Sequence, residues 1–293
     1  MSDSPAKPGA TVAVVLSGQY PYQEARDKLH SWTAEAASEG AEYICFPEYY
    51  FDQDREADGS TSRGVTLDGP LVGELKELAR THHIGMVVGL TEKRKNRRFD
   101  VRDYYNSALF VDWNGLAGLQ RKVFLWVDPD WDEQRRRTGN EGNSDFPYPP
   151  LVDEHRRYLP GWSFEVLPFG DLERAAGIIC ADGLMPQTWS HLIPRSPQIV
   201  FYLNGRVNLL KKWGPDLADI SLRYHLPIVA SNSFLESEAG IFDAGGKLLA
   251  RLERTEGIAV ARVSLAGRQP MQPVYIRHWE GEPLDMLERL DKG

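Results

Sequence analysis

Thr11-Val-Ala-Val-Val-Leu16 is apolar at every position but the first. It barely alternates, so it reads as a strand buried on both faces. Downstream, residues 22–38 carry the helix formers Gln23, Glu24, Ala25, Leu29, Ala34, Glu35, Ala36 and Ala37, with Gly40 as a stop signal. Tyr43-Ile-Cys-Phe46 is a second short strand, closed by Pro47. Residues 70–82 repeat the helical pattern, with Leu71, Leu75 and Leu78 four and three apart. Ile84 to Leu90 is a third strand. The order β-α-β-α-β points to a layered α/β domain.

Two strand-like runs follow, Asn106 to Asp112 and Leu116 to Leu125, joined across Trp113-Asn114-Gly115. Asn-Gly between apolar runs is a hairpin signal. The polar stretch from Asp128 to Arg157 holds Pro129, Pro147, Pro149, Pro150 and Arg135-Arg-Arg137. Strand-and-helix patterning resumes after it, so it is expected to be an excursion forming a lid or rim. Strands are then predicted to end at Cys180 and to span Ile199–Leu203 and Pro227–Ala230, with a helix over 212–225. A second hairpin, Ile241–Asp243 with Leu248–Leu252, turns at Ala244-Gly245-Gly246, and Ile258–Val263 is the last strand. This divides the chain into a flexible lead-in (1–9), one domain (10–265) and a polar tail (266–293) with a short helix at Leu284–Leu290.

A length of 293 residues allows two domains of about 150, or one large α/β domain of roughly 250. Hydrophobic residues at 42% and charged residues at 26% fit an ordinary globular core. The net charge of −8 argues against nucleic acid or an anionic membrane as partner. The basic run Glu92 to Arg98 is expected to be a solvated hairpin or loop. Two cysteines are too few for a disulfide framework. The N-terminus lacks a basic segment followed by an apolar one, and no apolar run approaches the ~18 residues of a membrane span. A reducing, cytoplasmic setting is the default expectation. His82-His83 has no metal-ligand companion at useful spacing, and no P-loop or Gly-x-Gly-x-x-Gly is present. No metal and no cofactor are therefore expected.

Three strand ends carry a conspicuous polar residue: Glu48 after Tyr43-Ile-Cys-Phe-Pro47, Lys122 in Leu119-Gln-Arg-Lys-Val-Phe-Leu125, and Cys180 after Ala176-Gly-Ile-Ile. Catalytic groups in α/β folds gather at such ends. Taken singly, each has a plainer reading: a loop carboxylate, a solvated lysine, a core thiol. Cys45, inside its strand, is expected to be packed. The aromatics Tyr49, Tyr50, Phe51, Phe124, Trp126 and Trp131 flank two of these positions, and a few of them can shape an apolar pocket.

Taken in order, these elements resemble the nitrilase superfamily of carbon–nitrogen hydrolases. The resemblance runs from about Thr11 to Val263. It rests on Phe-Pro-Glu48, the Asn106–Lys122 hairpin with its Arg-Lys ending, and the Pro160-Gly161 turn. It also rests on Gly177-Ile-Ile-Cys-Ala-Asp182 and the closing Asp243-Ala-Gly-Gly-Lys-Leu-Leu hairpin. It implies an α/β fold, a four-layer α-β-β-α sandwich of the nitrilase type, in a homodimer or higher homo-oligomer that the tail could clasp. It also implies Cys180 as nucleophile, Glu48 as general base and Lys122 as cationic stabiliser. A thiol needs a base because the thiolate is the reactive form, and an ammonium suits a developing oxyanion. Opposite charge on Lys122 is expected to keep Glu48 ionised.

A second glutamate of such enzymes is matched by Glu154, 180 − 154 = 26 residues before the cysteine. Asp153 and Glu141 are weaker matches. Tyr49, Trp126, Ala181, Asp182 and Asn204 are expected to line the substrate pocket, Ala181 through its backbone N–H. The sequence departs from the family pattern at Ala181, where a bulkier residue is common. It departs again at Leu184-Met-Pro-Gln187, in place of Phe-Pro-Glu, and at Ser237-Glu-Ala-Gly240, in place of Gly-Gly-x-Ser. Nitrile-cleaving members usually carry Trp after the cysteine. The expected activity is thus hydrolysis of a small-molecule amide or N-carbamoyl group through a thioester. Thioester-based acyl transfer is the alternative, ahead of nitrile hydrolysis or a non-catalytic binding role.

Overall fold

The computed structural model describes residues 8–51, 64–95, 102–126, 154–205 and 214–265. Strand β1 (Gly9–Leu16) leads into helix α1 (Tyr22–Ser38), β2 (Tyr43–Cys45), α2 (Pro70–His82), β3 (Gly85–Lys95), β4 (Arg102–Asp112) and β5 (Gly115–Arg121). The second half holds β6 (Val166–Phe169), β7 (Leu172–Ile179), α3 (Pro186–Leu192), β8 (Ile199–Asn204) and α4 (Gly214–Tyr224). It closes with β9 (Ile228–Asn232), β10 (Glu238–Phe242), β11 (Leu248–Glu253) and β12 (Gly257–Ser264).

The strands run β5-β4-β3-β2-β1-β9-β8-β7-β6, with β12 antiparallel on β1 and the β10–β11 hairpin on β9. β1 and β9 share a single register pair, Leu16 with Asn232. There the strands divide into two halves that face each other.

Side-chain alternation shows the layering. On β1, Ala13 and Val15 pack with Leu29, Trp32, Leu71 and Leu75 of the first two helices. Its other face, Val12, Val14 and Leu16, packs with Ala175, Ile179 and Phe201 of the opposite half. β8 mirrors this: Phe201 and Leu203 face the first half, while Val200 and Tyr202 pack on Trp189, Leu192 and Leu217 of α3 and α4. The result is helix, sheet, sheet, helix, the expected α-β-β-α sandwich, and it explains why β1 lacks alternation. Each large side chain moved from water into these interfaces contributes roughly 1.5–3 kcal/mol.

Some elements differ from the sequence reading. β3 runs on to Lys95, pairing Lys95 with Arg102 of β4. The first part of the basic run is therefore ladder, and residues 96–98 lie outside the described set. β5 stops at Arg121, short of Leu125, and β1 starts at Gly9, within the expected lead-in. β6 and α3 were not anticipated. Most of the 128–157 excursion and the whole 266–293 tail lie outside the described residues.

Candidate active site

Glu48 leaves the end of β2, Lys122 follows β5 and Cys180 follows β7. The two sheet halves bring these ends together. Glu48 and Lys122 are 2% and 1% exposed. Lys122 Nζ donates to Glu48 Oε1 at 2.9 Å and lies 2.9 Å from both Glu154 oxygens. One buried ammonium thus bridges two buried carboxylates. The Lys122 backbone is held on both sides. Its N–H donates to Asn106 O at 2.8 Å, and its carbonyl accepts the Gly161 N–H at 2.7 Å.

The two carboxylates have different surroundings. Glu154 accepts from Lys122, from the Tyr49 hydroxyl, from the Trp126 backbone N–H at 2.6 Å and from Asn106 Nδ2 at 3.3 Å. Glu48 takes Lys122 and Asn106 Nδ2, the latter at 2.8 Å, both on Oε1. Its Oε2 is turned toward Gly205, where a Cβ would lie 2.8 Å away, and the Cys180 thiol is a hydrogen-bond neighbour of the same carboxyl. Glu48 therefore keeps an oxygen for the thiol.

Cys180 sits at φ +46°, a left-handed conformation that a non-glycine residue adopts only when its surroundings hold it there. It opens a 3-10 turn, Cys180–Leu184. The Tyr202 hydroxyl donates to its carbonyl at 2.7 Å. The residue is partly exposed, unlike fully buried Cys45.

Electrostatics follow from burying one cation among several acids. Burial pushes the Cys180 thiol above its ordinary range; Glu48 and Glu154 push the same way, and Lys122 pulls back. For Glu48, burial outweighs Lys122, and Glu154 adds to it, so its carboxyl is raised. The expectation that Lys122 keeps Glu48 ionised meets an opposing effect: the lysine lowers the carboxyl, but desolvation raises it more. Burial alone would lower Lys122, yet the acidic groups around it hold it well above its ordinary value. Burial also raises Cys45, to about 12, with Ser231 as its hydrogen-bond neighbour at 3.4 Å.

The residues expected to line the pocket are placed as follows. Tyr49, at φ +54°, stacks on Tyr158, whose hydroxyl pairs with Thr91 at 3.0 Å. Trp126 is 43% exposed and meets the cluster through its backbone. Ala181 is buried in the turn after Cys180. Asp182 is fully buried, with both carboxylate oxygens accepting backbone N–H groups. Asn204 is also buried; its Nδ2 donates to the carbonyls of Tyr202 and Ser231, at 3.2 and 3.1 Å. Asp153, Glu141 and Trp131 lie outside the described residues.

Three participants were missed. Asn106 donates to both glutamates; an Asn inside an apolar strand was a usable signal, because strands disfavour it. Gly89 faces Glu48 so closely that a Cβ would lie 2.1 Å from Pro47 O and 2.7 Å from Glu48 Cα. Gly205 lies against the carboxylate itself. Neither glycine carried a sequence signal. Among the described residues, no group of three or more His, Cys, Asp or Glu could hold a metal ion. Nor is any helix there long and apolar enough to cross a membrane.

Comparison with known proteins bears on the fold and the family. An aliphatic nitrilase from Rhodococcus rhodochrous is 33% identical over 112 residues, which is 33% of this chain and 29% of the nitrilase. This chain thus matches under a third of that relative's length. A mutant amidase from Nesterenkonia sp. AN1, seen after Michael addition of acrylamide at its active-site cysteine, superposes with a TM-score of 0.63. It is 15% identical, over 92% of this chain and 99% of that one. The C. elegans NitFhit protein aligns with a TM-score of 0.67 and 15% identity, over 88% of this chain and 61% of that one. A family profile described as carbon-nitrogen hydrolase matches residues 11–272, and the chain belongs to that family.

Proposed function

We propose that the protein is a cysteine-dependent hydrolase of a small-molecule amide or N-carbamoyl group. The observation that carries this reading is the single buried ammonium of Lys122 joining Glu48 and Glu154 beside the thiol of Cys180. In this reading Glu48 takes the Cys180 proton as the sulfur attacks the carbonyl carbon. The oxyanion is stabilised by Lys122 and the Ala181 N–H. Collapse breaks the C–N bond, and Glu48 returns the proton to the leaving nitrogen, so that ammonia or an amine departs and a thioester remains. Glu48 then deprotonates water, which attacks the thioester and releases the acid and the thiol. A raised carboxyl suits this work, because its proton affinity lies nearer that of the thiol. Glu154, saturated with donors, holds Lys122 and Tyr49.

A nitrile substrate is the second reading, favoured by the partial match to an aliphatic nitrilase. Both readings use the same thioester. The test is ammonia release from short aliphatic amides, N-carbamoyl amino acids and aliphatic nitriles, together with the intact mass of trapped enzyme. Turnover of amides or carbamoyl compounds with an acyl adduct on Cys180 supports the proposal. Ammonia release that survives Cys180→Ala overturns it, and turnover confined to nitriles selects the second reading. Added hydroxylamine separates hydrolysis from acyl transfer.

A further inference from the structure

The nucleophile and the ammonium come from opposite halves of the sandwich, yet one side chain touches the backbone next to each. Asp182 Oδ1 accepts the N–H of Val123 at 3.0 Å and of Phe124 at 2.8 Å, the two residues directly after Lys122. Its Oδ2 accepts the N–H of Ile179 at 3.2 Å, the residue directly before Cys180. The side chain is fully buried. Lys122 and Cys180 follow their strands and lie outside regular ladder. Their relative placement therefore depends on bonds of this kind.

We propose that Asp182 is a positioning residue that fixes the Cys180 thiol relative to the Lys122 ammonium by holding the backbone of both strand ends. The inference rests on the proposed roles of those two residues. A carboxylate suits the task because it is acceptor-only and faces three N–H donors at once. An amide of the same shape has one acceptor oxygen, so its NH2 must confront an N–H on one side or the other. The same turn is held independently of this carboxylate, by the Thr188 hydroxyl on the Asp182 carbonyl at 2.6 Å and the Trp189 indole N–H on the Gly183 carbonyl at 2.9 Å. The turn therefore has supports beyond the Asp182 side chain.

The experiment is iodoacetamide alkylation of Cys180, timed by peptide mass mapping across pH, in wild type, Asp182→Asn, Lys122→Met, the double variant and Thr188→Val. Asp182→Asn is expected to slow alkylation by about tenfold for each pH unit by which the thiol's ionisation moves upward, because the thiolate is the reacting form. It should also move the pH at which the thiol becomes reactive upward, as Lys122→Met does. The double variant should be no slower than Lys122→Met alone, because the two residues act through one interaction. Thr188→Val, which loosens the turn without touching the carboxylate, should leave the pH profile in place. Wild-type alkylation in Asp182→Asn overturns the proposal, as do additive losses in the double variant or an equal pH shift in Thr188→Val. Failure of the catalytic reading itself reads out separately, as turnover that survives Cys180→Ala.

Discussion

The ammonium of Lys122 lies 2.9 Å from the carboxylate of Glu154, across 32 residues of chain. Because the same ammonium also serves Glu48, its removal leaves two buried carboxylates facing each other.

Lys122→Met should therefore both inactivate and destabilise. Breaking a buried ion pair from one side typically costs 3–5 kcal/mol. Urea denaturation is expected to show a loss of that order, and turnover should vanish. A variant with wild-type stability would mean that the pair is not closed in solution.

The two glutamates should separate kinetically. Glu48→Gln should lower turnover by about 10²–10⁴-fold, the usual contribution of a general base. Glu154→Gln should lose less, because Tyr49 and the Trp126 N–H still hold the side chain. A dead Glu154→Gln enzyme beside an active Glu48→Gln enzyme would reverse the roles.

Iodoacetamide should label Cys180 and spare Cys45. Cys180 is partly exposed and has the Glu48 carboxyl beside it to take its proton, while Cys45 is fully buried with the Ser231 hydroxyl as its side-chain neighbour. Peptide mapping with the fast adduct on Cys45 would overturn the assignment.

Gly89→Ala should inactivate without touching a polar group. A methyl there meets Pro47 O at 2.1 Å, so the backbone carrying Glu48 must move. Overpacking of this kind costs typically 1–3 kcal/mol, and the melting temperature is expected to fall with activity.

Burial pushes the Asp182 carboxyl up to about 7, against an ordinary value near 3.8. Between about pH 4 and 7 the folded state thus holds a proton that the unfolded chain has released, and above about 7 the group is the acceptor-only carboxylate that faces three N–H donors. The stability contributed by this group is present below about pH 4 and lost as pH rises through about 7. Comparing melting temperatures of wild type and Asp182→Asn from pH 4 to 8 isolates it. The wild type should decline more steeply, and parallel curves would refute the assignment.

Much of this was legible in the chain. The bounds of α1 and α2 follow local propensity and periodicity, and both match. β6 escaped because Pro168 sits inside it. The strand lies at the sheet's edge with Pro168 exposed, and there a missing N–H is harmless. Glu92 looked like part of a solvated run. Its burial depends on Arg121, 29 residues away, whose guanidinium grips it and stacks on Tyr105 at 4.0 Å. Motif order singled out Glu48, Lys122, Glu154 and Cys180, which the fold brings together, whereas Asn106 and Gly89 meet Glu48 only when the strands close.

The left-handed turn at Cys180 has a consequence for evolvability. A non-glycine residue held there carries on the order of 1–3 kcal/mol of strain. The fold would accept glycine at this position without that strain, and Cys180→Gly should be inert yet at least as heat-resistant as the wild type. In the role proposed for it, the sulfur is thus retained by its chemistry against a folding preference for its absence, and drift toward a tougher, silent protein is one codon change away.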